Sequence, residues 1–398
     1  MKIILKKGRI VVPKINSVNF LLWIFTLFFF IMEVLRDVGL VGQTGNTKYV
    51  EYFFVIIIIT FFSLVKIFYQ KSKHHGQFFG IEIRQFIVFS IIIFLLSLSK
   101  SYYVHEFNII SLIEVLQILI PIILTYFLVN ILTENQLISL VKICLLVTCM
   151  GYAYLISQMN ISISDLSKIS LVNSYSPFES WNLAEIASGI SCFLIFYHKR
   201  APISCFISVL INIMMFKRVL IFMDIVLIIV VILKKELSLC KEKTTNFFIL
   251  FWIIIVEFIY QIYQKENQYK LLSHGINLVK FTMARIYRLW FLTENHFVSY
   301  GLGSTGVYLT KLNYSWLGND LEMDFIRIRF ELGIIAIILL VFIYLKICKN
   351  NFYSLAMINI CFLNLLMANG ITQYSGWMFR ILIIAIINYK YINQGALK

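Results

Sequence analysis

Residues 53–62 read FFVIIIITFF, ten residues with no charge and no alternation. Backbone inside lipid must satisfy its own hydrogen bonds, which leaves two spanning structures, a helix bundle or a closed barrel. Barrel strands of about ten residues alternate apolar and polar side chains. This stretch does not, so the reading is helix. The rest of the chain extends it: 60% of the 398 residues are hydrophobic and 14% charged, where a soluble domain carries about 25% charged residues. Mean hydropathy is +0.85, and only four prolines interrupt the apolar runs. The expected fold is an all-α polytopic membrane protein of about twelve transmembrane helices. The runs fall at 17–35, 50–69, 85–103, 109–132, 137–158, 183–198, 202–216, 219–233, 246–263, 323–345, 352–369 and 375–391. The pair at 202–233 is short and reads equally as two spans or one re-entrant hairpin.

Cations give the orientation. Lys2, Lys6, Lys7, Arg9 and Lys14 precede the first run, and Lys66, Lys71, Lys73 and Arg84 fall between the second and third. Lys142, Lys199, Arg200, Lys234, Lys235, Lys241, Lys243, Lys346, Lys349, Lys390 and Lys398 continue the same side. By the positive-inside rule both termini face the cytoplasm. The net charge of +15 is then a topology signal with attraction to anionic membrane lipids. No basic, aromatic-interleaved soluble domain argues for nucleic acid. The basic start is not followed by a small-residue cleavage site, so 20–35 is expected to be a retained span. The seven cysteines show neither a disulfide framework nor metal-type spacing, and no metal or cofactor is expected.

One polar stretch stands apart. Residues 264–322 separate the ninth and tenth runs, and orientation puts them outside the membrane as a long periplasmic loop. A connection of this length is generally functional or disordered. Trp290, Phe291, Phe297, Tyr300, Tyr308, Tyr314 and Trp316 are too much aromatic surface for disorder. The expected organisation is a bundle of nine spans over 1–263, a folded cap over 264–322 and a bundle of three spans over 323–398. Two smaller outer features are 157–182 and the turn at Lys217-Arg218.

Several residues there carry chemistry. Arg218, with Lys217, puts cations on the outer side against the insertion rule. A planar guanidinium suits bidentate binding of phosphate, while a snorkelling cation at a headgroup is the plainer alternative. Arg285 and Arg288 lie three apart in FTMARIYRLW and share a helix face. They read either as an interfacial amphipathic helix or as a basic face turned inward. Glu322, Asp324, Arg327, Arg329 and Glu331 gather at the start of a span. Ionisable groups at membrane depth usually face the bundle interior or a watery cavity. Spacing puts Asp324, Arg327 and Glu331 on one face and Arg329 opposite. Arg380 repeats the pattern in the last run, and His296 is a lone loop histidine. Deep acids are few: Glu114, Glu185, Asp224 and Glu257. GLGSTG at 301–306 matches G-x-G-x-x-G without the strand and helix that a dinucleotide site needs; it reads as a turn or a backbone nest for an anion.

GLGSTG, the acids Glu322 and Asp324, the closing Glu331-x-Gly333 and Lys217-Arg218 after an apolar run together resemble the O-antigen polymerase family (Wzy type), related to the O-antigen ligases. The layout covers nearly the whole chain. A ligase-type His-Asn pair is not present: Glu322 and Met323 fall where position-matching puts it. The resemblance implies a metal-independent glycosyltransferase without cofactor, acting on polyprenyl-pyrophosphate-linked oligosaccharide at the periplasmic face of a bacterial inner membrane. A flippase and a chain-length regulator are the implied partners. Arg218, Arg285, Arg288, Arg327 and Lys217 are the expected pyrophosphate ligands, and Asp324 or Glu322 the expected catalytic carboxylate. His296, Arg329 and Arg380 are further candidates. An O-antigen ligase and a lipid-linked oligosaccharide flippase are the alternative functions.

Overall fold

The structure, a computed structural model, describes residues 5–6, 9–10, 17–40, 60, 79–159, 178–265, 267, 270, 272, 274–275, 277–282, 284–312 and 320–395. The expected span at 50–69, Tyr314 and Trp316 lie outside these residues. Numbered in order among them, the helices are α1 (Ser17–Asp37), α2 (Gly80–Val104), α3 (Ile109–Ile131), α4 (Glu134–Gln158), α5 (Trp181–Phe196), α6 (Pro202–Met214), α7 (Arg218–Ile232) and α8 (Glu242–Ile262). They continue as α9 (Leu278–Phe281), α10 (Ile286–Glu294), α11 (Ser304–Leu312), α12 (Asp324–Leu332), α13 (Ile334–Lys346), α14 (Phe352–Met367) and α15 (Tyr374–Gly395). A two-rung antiparallel ladder pairs Leu5–Lys6 with Arg9–Ile10; the remaining regular structure described is helical. Helices α1, α2, α3, α4 and α8 are long and apolar enough to cross a membrane.

The bundle is built on α5 and α15, which make the most extensive helix–helix contact. The α5 sequence carries Ala184, Ala187, Ser188, Gly189 and Ser191, small residues that let neighbouring backbones approach. Gly189 meets Gly376 of α15 so closely that a Cβ on Gly189 would lie 2.5 Å from the Gly376 carbonyl oxygen. α15 also packs on α3, α5 on α4, α6 and α7, and α14 on α7. Local chemistry marks the helix starts. Asn108 and Asn351 cap α3 and α14 by accepting from Ile110 N and Ser354 N. Thr133 and Gln136 form a capping box on α4, and Pro202 opens α6 where its missing N–H costs nothing.

Two expectations change. The run 323–345 is not one helix: Gly333, at φ 88° and ψ −178°, separates α12 from α13. The pair at 202–233 is two helices turned back at 215–217, of 13 and 15 residues. At 1.5 Å per residue they are roughly 20 and 22 Å long, short of a hydrocarbon core of about 30 Å.

Polar contacts define two ends of the bundle. At one, the C-terminal ends of α1 and α14 meet the N-terminal ends of α3, α5, α7, α12 and α15. At the other, Lys390 and Arg200 pair with Glu134, Lys346 with Glu242 and Lys349 with Glu82. The described residues of the polar segment 264–322 pack on the first end. Trp290 is buried and donates to Tyr263 O at 2.9 Å, and α10 turns Ile286, Leu289 and Leu292 inward as well.

Candidate functional site at the polar end of the bundle

Three layers of charge occupy the first end. The deepest is centred on Glu185, buried one turn into α5. Its carboxylate accepts from Asn364 Nδ2 at 2.7 Å and Arg380 Nη2 at 2.9 Å, and Lys217 Nζ lies at 3.5 Å. Arg380 also donates to Ser188 Oγ at 3.0 Å, and its guanidinium lies 5.4 Å from the Trp377 ring centre. Lys217 and Arg218 therefore part company: Lys217 turns into the bundle and is 7% exposed, while Arg218 at the head of α7 stays exposed. The glycine-on-glycine contact brings α5 and α15 close enough for Arg380 to reach the Glu185 backbone carbonyl as well.

The second layer is α12. Arg327 grips Glu114 of α3 through Nη1 at 2.8 and 2.9 Å, and Asp324 through Nη2 at 3.1 Å. The other Asp324 oxygen accepts from Gly370 N at 2.6 Å and Ile371 N at 2.8 Å. Asp324 and Arg327 are 1% and 3% exposed. Both tie α12 to the loop before α15 and to α3. Glu331, one turn further on the same face, takes the backbone of GLGSTG: Gly303 N donates at 2.8 Å, Thr305 N at 2.9 Å and Thr305 Oγ1 at 2.6 Å. The nest at 301–306 thus already holds an anion, and that anion is internal. Gly303 takes φ 76°, and a Cβ there would lie 2.5 Å from Glu114 Oε1. Ser97, Ser101, Asn108 and Ser111 of the α2–α3 hairpin bond the same loop. Arg329 faces the other way, to Glu257 at 2.5 and 3.0 Å and over the Tyr260 ring at 4.6 Å.

The outermost layer brings together residues far apart in the chain. Arg285 Nε donates to Glu322 Oε2 at 2.9 Å, and Arg288 Nη1 lies 3.0 Å from Glu322 Oε1. Arg285 also donates to Met367 O at 2.9 Å and Arg288 to Asp320 O at 2.7 Å. All three side chains remain part-exposed. Burial pushes the Glu322 carboxyl up, but hydrogen bonds and charge from Arg285 and Arg288 outweigh it and hold the group below the usual carboxylate range.

Beside them is Glu179, two residues before α5. Burial pushes its carboxyl up, against the charges of Lys217, Arg285 and Arg218, all of which act on it. Among the described residues no hydrogen bond or ion pair holds it. Glu179 links the two cation groups singled out in the sequence, the Lys217-Arg218 turn and the Arg285/Arg288 pair. The sequence contained a signal for it, an acid in the outer segment 157–182, but no motif around it. Arg36 is a second residue with no sequence signal beyond its place at the end of a span: it donates to Asp37 at 3.1 Å and to Tyr374 Oη at 3.2 Å on the same end.

Other candidates stand apart from this group. His296 ends α10 in the left-handed region (φ 49°) and points to solvent. The loop aromatics pack on one another: the Phe297 ring is 4.8 Å from Tyr308, 6.1 Å from Tyr300 and 6.2 Å from Phe330. Trp290 is buried against Tyr263 and Tyr300 is buried too, while Phe297 and Tyr308 stay half-buried.

No protein-family model matches this chain, nor does any curated protein or solved structure.

Proposed function

We propose that the chain is a polysaccharide polymerase of the O-antigen type, joining polyprenyl-pyrophosphate-linked oligosaccharides in a bacterial inner membrane. What supports the reading is the pair of guanidiniums gathered at the polar end, Arg285 and Arg288 on the part-exposed Glu322, with the charges of Lys217, Arg218 and Arg285 all felt by Glu179. In this topology about twelve helices span, both termini are cytoplasmic and the polar end is periplasmic.

A pyrophosphate leaving group gains charge as the bond from the sugar C1 breaks. Cations fixed where that charge develops stabilise the transition state more than the ground state. Arg285, Arg288 and Arg218 supply that field. Glu322 pairs with both guanidiniums in the absence of substrate and yields them to a phosphate, which offers more oxygens for bidentate bonds. The acceptor sugar hydroxyl attacks C1, the new glycosidic bond forms as the C1–pyrophosphate bond breaks, and the hydroxyl proton passes to a carboxylate. Asp324 has its oxygens committed to Arg327, Gly370 N and Ile371 N, so the base role passes to Glu179. Arg327 serves the fold through Glu114 and Asp324, and Lys217 and Arg380 neutralise Glu185 beneath the site.

Deleting the gene and resolving surface polysaccharide on a gel tests the reading. Core carrying a single repeat unit is the expected pattern. Loss of even that single unit points instead to a flippase or a ligase and ends the polymerase assignment. A finer test complements the deletion with Arg285→Ala: single-unit core at normal protein level is expected, and a full ladder overturns the site.

A further inference from the structure

The opposite end of the bundle holds a site that the proposed chemistry does not use. Between the last turns of α7 and the first turns of α6 lies an apolar groove of about 540 Å³ walled by Phe206, Val209, Ile228 and Ile232. That volume lies within the roughly 300–1,000 Å³ of ligand clefts. The apolar walls run to a rim made by His198, Lys199 and Lys234. The rim is what distinguishes this groove from ordinary lipid-facing surface.

Four cations at this end are paired. Arg200 lies 3.0 Å from Glu134, Lys390 2.6 Å from Glu134 and Lys346 3.7 Å from Glu242, and Lys349 meets Glu82. Lys199 and Lys234, on two different helix ends, have no ion-pair partner among the described residues, and no acid lines the groove. His198 uses Nδ1 on Ile195 O at 3.1 Å, which leaves Nε2 for a ligand. Two uncompensated ammoniums and an imidazole at the mouth of an apolar slot match an anionic head joined to an acyl chain. A soluble phosphate has nothing to place against Phe206 and Val209, and a zwitterionic lipid brings its own cation to the rim.

We infer that the α6–α7 groove binds one anionic glycerophospholipid, its acyl chain along Phe206, Val209 and Ile228 and its phosphate between Lys199 and Lys234. The site also accounts for the short α6 and α7: a helix pair of this length leaves the slot open, and an ordered lipid fills it.

Purified full-length protein in detergent is mixed with phosphatidylglycerol or phosphatidylcholine of identical chains and read by native mass spectrometry. One phosphatidylglycerol is expected to stay bound under activation that strips phosphatidylcholine. The double variant Lys199→Ala/Lys234→Ala weakens phosphatidylglycerol binding roughly thirtyfold, the loss expected for two lysines near an anionic headgroup, and leaves phosphatidylcholine unchanged. Val209→Trp, which fills the slot, removes the bound lipid; if that variant fails to fold, the exposed lysine pair decides alone. Equal retention of the two headgroups, or phosphatidylglycerol binding unchanged in the lysine variant, overturns the site.

Discussion

The acids at one end of this bundle differ in their surroundings, and those surroundings separate what each one does. Glu185, Asp324 and Glu331 are buried and saturated with donors, so each acts as a fixed counter-charge. Removing one partner of a buried, hydrogen-bonded pair costs about 3–5 kcal/mol, because the other charge is left uncompensated. Asp324→Ala is therefore expected to lower thermal stability in detergent and protein level together; an active variant of wild-type stability contradicts this. Glu322 is half-open, and Glu322→Gln costs less than about 1 kcal/mol. Its carboxyl is depressed in the folded state, so its contribution is present above the unfolded pKa of about 4.3 and lost as pH falls through the lower folded value. Glu179 differs from all of these, since burial raises it while no described donor holds it. As a base it must be ionised, so activity rises with pH through a value above the ordinary carboxylate range. Arg218→Lys keeps the charge, whereas Arg218→Ala removes one of three cations that lower Glu179. The acidic limb of the pH profile is then expected to move to higher pH in the alanine variant and to stay put in the lysine variant. Glu179→Gln is expected to cut polymer formation by about 10²–10⁴, the usual contribution of a positioned base, at normal protein level.

At the scale of elements, α12 and the α5–α15 crossing position the site. α12 is too short and too charged to be a simple continuation of α13, and Gly333 turns the chain between them. The break frees α12 to lie with Arg327 toward α3, Glu331 toward GLGSTG and Arg329 toward α8. The crossing is fixed by backbone contact: a Cβ on Gly376 would meet the Glu185 carbonyl oxygen at 2.7 Å. Backbone cannot yield as a side chain does, so Gly376→Ala forces the helices apart and loosens Arg380 from Glu185. Overpacking of this kind costs about 1–3 kcal/mol, read as a lowered thermal midpoint. A wild-type midpoint for Gly376→Ala contradicts the close crossing.

The whole molecule is polarised. One end concentrates Lys217, Arg285, Arg288, Arg327 and Arg380 among acids, and the other carries lysines that outnumber its acids. Both ends must be wet, since neither charge set tolerates hydrocarbon. Cysteine accessibility reports the direction. With a membrane-impermeant maleimide, His296→Cys is expected to label in intact spheroplasts and Lys234→Cys only after permeabilisation; the reverse pattern inverts the topology.

The sequence by itself determined the class of fold and the charged positions worth examining. Non-alternating apolar runs such as FFVIIIITFF admit only helix in lipid, and charge at the head of α12 has to be compensated. Helical spacing also put Asp324, Arg327 and Glu331 on one face, the face that the structure buries. Partners were another matter. Arg285 finds Glu322 37 residues on, and Arg327 finds Glu114 213 residues away. No local period encodes a contact of that separation, because it arises from how helices pack. The same holds for Glu179, an undistinguished acid until packing brings the charges of Lys217, Arg218 and Arg285 to act on it. Which carboxylates are committed to partners in the fold and which stays without a described donor was decided only by tertiary structure, since burial and hydrogen-bond geometry, not residue type, set the cost of ionising each one.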